Sequence, residues 1–167
     1  MFSEEKDVKN PARREAVELF NKAFEAQQAG DYDEAIRLYK ESIKIFPTAE
    51  AYTFLGWTYS FQGQYDLAIT ECLAAISVDA DFGNPYNDIG SYLIAKGNYY
   101  DCVRWFKLAM TATRYEARAY PHFNLAAVYE KRGKLLEAAK HYGLALAEQP
   151  NYAQAYKALR KLQERLN

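Results

Sequence analysis

The sequence is poor in residues that break helices, and it has no segment suited to crossing a membrane. Its 167 residues include 8 glycines and 5 prolines, and no apolar run reaches the roughly 18 residues of a membrane span. The stretch from Met1 to Asp7 is charged where a secretory signal needs an apolar segment. Two cysteines are too few for a disulfide framework and suit a reducing compartment. We therefore expect no membrane span and a cytoplasmic location.

Neither sign of charge dominates. The chain has 21 Lys and Arg against 22 Asp and Glu, for a formal net charge of -1. No global field therefore attracts nucleic acid or anionic lipid, and we expect no nucleic-acid partner. Basic residues do recur in the C-terminal half, where nearby acids balance them and solvated helix faces explain them: Arg104, Lys107, Arg114, Arg118, Lys131, Arg132, Lys157, Arg160, Lys161 and Arg165.

Aromatic residues are abundant, and they fall in a repeat. With 15 tyrosines and 9 phenylalanines, the chain has a large apolar surface to bury. Four segments share a spacing that starts from a glycine: Gly30-Asp31-Tyr32-Asp33-Glu34-Ala35, Gly63-Gln64-Tyr65-Asp66-Leu67-Ala68, Gly97-Asn98-Tyr99-Tyr100-Asp101-Cys102 and Gly133-Lys134-Leu135-Leu136-Glu137-Ala138. The glycines are 33, 34 and 36 residues apart. Such a period predicts an array of repeated helical units.

The residues on either side of each glycine keep the same register. Four residues after each segment come Tyr39, Cys72, Phe106 and Tyr142, and three later come Ser42, Ala75, Ala109 and Ala145. The upstream halves are Leu19-x-x-Lys22-Ala23-x-x-Ala26, Tyr52-x-x-Leu55-Gly56-x-x-Tyr59, Tyr86-x-x-Ile89-Gly90-x-x-Leu93 and His122-x-x-Leu125-Ala126-x-x-Tyr129. Spacings of three and four place these residues on one face of a helix. Each glycine then ends the first helix of a pair, and the small residues mark close helix contacts.

The four copies resemble the tetratricopeptide repeat family, whose pattern has a period near 34 residues. The resemblance covers residues 12 to 166 and implies an all-α fold, an α-solenoid forming a right-handed superhelix of four helix-turn-helix repeats with a C-terminal capping helix. We predict a flexible tail at 1–10 and one domain at 11–166. Its repeats lie near 16–48, 49–82, 83–118 and 119–152, with the cap at 153–166. The predicted helices span 11–29, 32–46, 50–62, 65–78, 83–96, 99–112, 119–132, 135–148 and 151–166.

Catalytic and metal-binding patterns are missing. His122 and His141 stand without a second ligand at metal-binding spacing; we interpret His122 as a packing residue and His141 as a surface residue. Cys72 and Cys102 occupy core positions of their repeats, where thiols are inert. No phosphate-binding glycine loop or nucleophile elbow occurs. We therefore expect no enzyme activity and no cofactor.

The resemblance implies that the first helix of each pair lines a concave groove. The register then points a set of largely aromatic and amide side chains toward a bound peptide: Phe20, Asn21, Phe24, Phe54, Trp57, Phe61, Asn87, Asp88, Tyr120, Phe123 and Asn124. It also points Gln27 and Thr53 inward. Exposed aromatic patches of this kind mark binding sites. Alternatively, the N-terminal tail or a second copy of the chain covers the rings.

We expect an adaptor or scaffold that holds a peptide segment of another protein in this groove. The alternative is a structural protein that self-associates through its repeats into a homo-oligomer. Some family members grip the C-terminal carboxylate of heat-shock chaperones with a clamp of Lys, Asn and Arg. Here the corresponding positions hold Phe20, Phe24, Phe54, Asn84 and Asp88, so we do not expect that role.

Overall fold

The computed structural model describes residues 10–166, and the described chain is all-α. It divides between Ala80 and Asp81 into two compact units. The prediction of a flexible tail falls on residues 1–9, which lie outside the described part. Asn10, the last residue of that predicted tail, caps the first helix. The predicted fold of paired helices with a final capping helix is confirmed.

The described residues form nine helices. The first unit contains α1 (Pro11–Gln28), α2 (Tyr32–Ile45), α3 (Ala49–Phe61) and α4 (Tyr65–Val78). The second unit contains α5 (Asn84–Ala95), α6 (Cys102–Thr111), α7 (Ala119–Lys131), α8 (Leu135–Glu148) and α9 (Ala153–Leu166). Consecutive helices pair as α1 with α2, α3 with α4, α5 with α6, and α7 with α8, while α9 packs on α8.

Polar side chains cap the starts of three helices of the first unit, α1, α2 and α3. The Asn10 side chain accepts hydrogen bonds from the backbone N–H groups of Ala12 and Arg13, and Pro11 supplies a first residue with no N–H to satisfy. Asp31 caps α2 and Thr48 caps α3 in the same way. These polar caps satisfy backbone donors that have no partner within the helix.

Each helix pair turns at a glycine with a left-handed backbone. The φ angles of Gly30, Gly63, Gly97 and Gly133 are 81°, 74°, 79° and 73°. A side chain would strain this conformation, which explains why the repeat keeps glycine there. The turn prediction is confirmed at all four positions.

The repeat register also sets the core of each unit. Tyr39 and Cys72 are fully buried in the first unit, and Phe106 and Tyr142 are buried in the second. Gly90 lets α5 approach α6 closely, because a Cβ there would lie 2.5 Å from the Phe106 ring. Aromatic residues of second helices thus fill the space that small residues of first helices leave.

Three helices start later than predicted: α5 at Asn84 instead of residue 83, α9 at Ala153 instead of residue 151, and α6 with the largest shift. Helix α6 begins at Cys102 instead of residue 99. The Asn98 side chain accepts hydrogen bonds from the backbone N–H groups of Tyr100 (3.3 Å) and Asp101 (3.0 Å). This local turn competes with the first helical turn and delays the helix.

The longer loop before the fourth repeat is a structural connection within the second unit. The Gly83 N–H donates to the Arg114 carbonyl oxygen (3.2 Å), and the Arg114 N–H donates to the Asp81 carbonyl oxygen (2.9 Å). Tyr115 is buried beside Gly83, where a Cβ on the glycine would lie 2.3 Å from the Tyr115 Cβ. This loop therefore ties the start of α5 to the segment that follows α6.

Candidate functional site

Four aromatic rings of the first unit meet across α1 and α3. Phe20 and Phe24 are one turn apart on α1, and Phe54 and Trp57 are three residues apart on α3, so each pair shares a helix face. The Phe54 ring centroid lies 5.1 Å from Phe20, 5.7 Å from Phe24 and 4.6 Å from Trp57. We call these four rings the aromatic face.

The aromatic face is partly open to solvent. Phe24 is 39% exposed, while Phe20, Phe54 and Trp57 are half-buried. Phe20 and Phe54 also contact the buried Tyr39 ring, at 5.4 and 6.2 Å. These two rings therefore form a floor that belongs partly to the core, and Phe24 is the most exposed of the four side chains.

A buried polar network supports that floor. The Tyr39 hydroxyl donates to Gln27 Oε1 (2.9 Å), and Thr58 Oγ1 is hydrogen-bonded to the same oxygen (3.1 Å). Burial raises the pKa of Tyr39 well above its usual range, so the hydroxyl stays protonated and donates. The expectation that Gln27 and Thr53 point into a groove is wrong, because both are buried. The repeat register alone gave no sign of this network.

The other predicted residues of the first unit lie apart from the four rings. Phe61 is 56% exposed, and its ring stacks on Tyr32 at the start of α2, with centroids 5.5 Å apart. Asn21 is exposed on α1 beside Phe20. We therefore do not count Phe61 or Asn21 as part of the aromatic face.

In the second unit, two predicted amides meet. Asn124 Nδ2 donates to Asn87 Oδ1 at 3.2 Å, which joins α7 to α5. Asp88 is only 9% exposed, so its side chain is largely withdrawn from solvent. The two asparagines are therefore hydrogen-bonded to each other and half-buried, whereas Asp88 is buried.

The predicted aromatic residues of α7 pack toward the capping helix. The Phe123 ring lies 5.5 Å from Tyr142 and 5.0 Å from Tyr152, and the Tyr120 ring meets Tyr152 at 5.6 Å. Phe123 is half-buried among residues of α8 and the segment before α9, while Tyr120 remains exposed. Phe123 therefore helps to pack α7 against α8 and the segment that leads into the capping helix α9.

The two histidines form a pair that the sequence did not reveal. His122 Nδ1 and His141 Nδ1 are 3.1 Å apart, a hydrogen bond in which one neutral ring donates to the other. His141 is half-buried and also contacts the Tyr129 ring, so its interpretation as a surface residue is wrong. Burial lowers the pKa of His141 to about 4, assisted by the positive charge of His122, Lys140 and Lys107. Burial likewise lowers the pKa of His122, against the opposing effect of Glu148.

This pair predicts a pH dependence of stability. Because the folded pKa is depressed, the unfolded chain binds more protons, and the contribution of His141 to stability is complete above about pH 6.5. It is lost as the pH falls from there toward the folded value of about 4. Urea unfolding at pH 7 and pH 5 should show a larger loss of stability in the wild type than in His141→Gln. Equal losses in the two proteins would show that the pair does not titrate in this way.

Little else in the described residues offers reactive chemistry. Cys72 and Cys102 are buried, as predicted, and burial raises the pKa of the Cys102 thiol. Within residues 10–166, no group of three or more His, Cys, Asp or Glu side chains is placed to hold a metal ion. No helix in that range has the length and apolar character needed to cross a membrane. The aromatic face is thus the most distinctive surface in the described chain.

Two family models match the chain. Residues 49–82 match the tetratricopeptide repeat model, which is the segment predicted as the second repeat. Residues 14–52 match the MIT (microtubule interacting and transport) domain model, over most of α1, all of α2 and the start of α3. The predicted resemblance to tetratricopeptide repeats is confirmed.

Curated relatives share part of their length with this chain. The Small glutamine-rich tetratricopeptide repeat-containing protein 2 of Mycosarcoma maydis is 30% identical over 55% of this chain and 26% of its own length. The Tetratricopeptide repeat protein 12 of Mus musculus is 28% identical over 78% of this chain and 20% of its own length. The chain thus spans about a fifth to a quarter of these relatives.

Solved structures share the fold. A Pseudomonas aeruginosa pilF structure superimposes with a TM-score of 0.86 at 18% identity, covering 93% of this chain and 71% of that one. The first tetratricopeptide repeat of Spaghetti (RPAP3), bound to the HSP90 peptide SRMEEVD, has a TM-score of 0.66 at 24% identity, covering 71% of this chain and 95% of that one. At these identities, the likeness establishes the fold alone.

Proposed function

From the premise that the chain carries tetratricopeptide repeats, we propose that it is a protein-interaction adaptor that binds a peptide segment of a partner through the aromatic face. The observation that carries this proposal is the meeting of four accessible or half-buried rings on α1 and α3. The resemblance implies that the first helix of each pair lines the peptide-binding side. The RPAP3 repeat, which has the same fold and is bound to an HSP90 peptide, supports the proposal.

The chemistry of the rings supports binding. Large aromatic side chains dominate the energetics of protein interfaces because each buries much apolar area with few rotatable bonds. The floor rings are held by Tyr39 and the Gln27 network, so little order is lost when a ligand docks. Because these rings are already held in place, the aromatic face favours a partner side chain that packs against Phe24 and Trp57.

The paired asparagines support a polar contact in the second unit. The hydrogen bond between them uses Nδ2 of Asn124 and Oδ1 of Asn87. Nδ2 of Asn87 and Oδ1 of Asn124 then supply one donor and one acceptor. A peptide backbone offers the complementary carbonyl and N–H, so we assign these amides to main-chain recognition.

The test compares two double variants. Phe24→Ala with Trp57→Ala removes one ring of the aromatic face from each helix, while Leu136→Ala with Tyr156→Ala removes two exposed apolar side chains elsewhere. Each variant is checked by circular dichroism and used to capture proteins from a lysate of the source cells. We expect one captured protein to be retained by the wild type and by the control variant, and lost by the ring variant. Titration with that purified protein should show a loss of about 10- to 100-fold in affinity, typical of hot-spot truncation.

Two results would contradict the proposal. Equal affinity of the folded ring variant and the wild type would remove the aromatic face from binding. Loss of binding only in the control variant would place the interface on α8 and α9 instead.

A further inference from the structure

We infer that the segment bound by the aromatic face is anchored by an uncharged apolar side chain and not by a terminal carboxylate. This inference rests on the proposed function and specifies the chemistry of its partner. It follows from the charges and hydrogen bonds around the four rings.

On the helices that carry the rings, no Lys or Arg lies three or four residues from a ring. Arg13 and Arg14 are seven and six residues before Phe20, and the Arg13 guanidinium lies over the Phe46 ring. Helix α3 contains no Lys or Arg. On α1, Lys22 lies two residues from both Phe20 and Phe24, and residues at that spacing do not face each other on a helix. The neighbouring charged residues Glu18 and Glu25 are acidic and exposed. A carboxylate docked on the rings would therefore lose water without gaining an ion pair.

The polar groups beneath the rings are already engaged. The Tyr39 hydroxyl donates to Gln27 Oε1, and the Thr58 hydroxyl has two acceptors within reach, the Phe54 carbonyl oxygen (2.9 Å) and Gln27 Oε1 (3.1 Å). Both hydroxyl protons are therefore engaged within the protein. The surface above them consists of ring edges and faces, with Phe54 edge-on to Phe20 and Phe24 at 72° and 74°. A leucine, methionine or phenylalanine side chain fits this chemistry because it needs no hydrogen-bond partner when buried.

The experiment uses Trp57 as its own reporter. The chain has two tryptophans, so a Trp105→Phe background leaves Trp57 as the single emitter, and the phenylalanine retains a ring beside Tyr86. This protein is titrated with two peptides: GSLFSLFSG, acetylated and amidated, and SRMEEVD with a free C-terminus. We expect a saturable change in Trp57 emission with the apolar peptide, at an affinity at least about 10-fold tighter than that for SRMEEVD.

Two controls sharpen the result. Phe24→Ala in the same background should weaken binding of the apolar peptide by about 10-fold or more, whereas Leu136→Ala should leave it unchanged. Raising the salt from low to high concentration should alter the apolar affinity less than about twofold, because no ion pair is screened.

The outcomes separate the inference from the proposed function. Tighter binding of SRMEEVD than of the apolar peptide would overturn the inference while leaving the peptide-binding role in place. Equal affinities for the two peptides would also overturn the inference and leave the peptide-binding role in place. If neither peptide gave a saturable response, the inference would be overturned, and the comparison of captured proteins would decide the proposed function independently.

Discussion

Replacing Gly90 with alanine is expected to lower the free energy of unfolding by about 2–3 kcal/mol, in the upper range for overpacking. The new Cβ would lie 2.5 Å from Phe106 Cε1 and 2.7 Å from Cζ, well inside van der Waals contact. Phe106 lies on α6, is fully buried and clusters with Leu125 and Val128 of α7, so moving its ring disturbs that core. Urea unfolding followed by circular dichroism measures the change.

Gly143→Ala is the matched control for that substitution. Gly143 lies within α8, and a Cβ built there meets no atom within 4 Å. Alanine restricts the unfolded chain and favours the helix, so this variant should gain about 0.5–1 kcal/mol. Similar destabilisation by both substitutions would show that Gly90 is not a contact point between α5 and α6.

Leu162→Ala is expected to cost about 2–5 kcal/mol, the range for truncating a fully buried leucine. Leu162 lies on the capping helix α9, is fully buried, and clusters with Ala126, Ala138 and Tyr142. Its removal would leave a cavity between the last helix and the fourth repeat. Repeat arrays depend on such terminal caps because each repeat buries its apolar face only against a neighbour.

Leu136→Ala removes the same atoms from a surface position. Leu136 is 73% exposed on α8, so its truncation should change stability by less than about 0.5 kcal/mol. Thermal unfolding of both variants separates the burial effect from the loss of a leucine as such. A small effect of Leu162→Ala would contradict the role of α9 as a packed cap.

Most of the fold was predictable because the repeat couples local and tertiary requirements. Gly30 and its three counterparts need positive φ, which only glycine adopts readily. Tyr39 and Phe106 are fully buried at the same register, and Phe106 fills the space beside Gly90 of its own repeat. Four copies of the same physical constraint gave a signal that no single copy provides.

Side-chain hydrogen bonds account for what the pattern missed. Asn98 delays α6 because its side chain competes for the backbone N–H groups of the first turn. His122 and His141 are 19 residues apart in sequence, and only the packing of α7 on α8 brings their rings together. A search for metal-ligand residues that lie close together in the sequence does not detect such a pair.

The sequence predicted which side chains of the candidate site share a helix face, but it did not predict which rings contact one another. Helical spacing identified Phe20, Phe24, Phe54 and Trp57, because residues three or four apart share a face. The same spacing included Phe123, whose ring packs against Tyr142 and Tyr152 instead. The packing of the next helix decides which residues cover a ring. The spacing of residues within one helix does not reveal that packing.

Photocrosslinking shows directly whether the partner docks on the aromatic face. A benzophenone amino acid replaces Phe24 in one protein and Leu136 in another, and each is irradiated with the captured partner. We expect a covalent adduct from position 24 and none from position 136. An adduct from position 136 alone would rule out docking on the aromatic face and place the partner on the surface of α8.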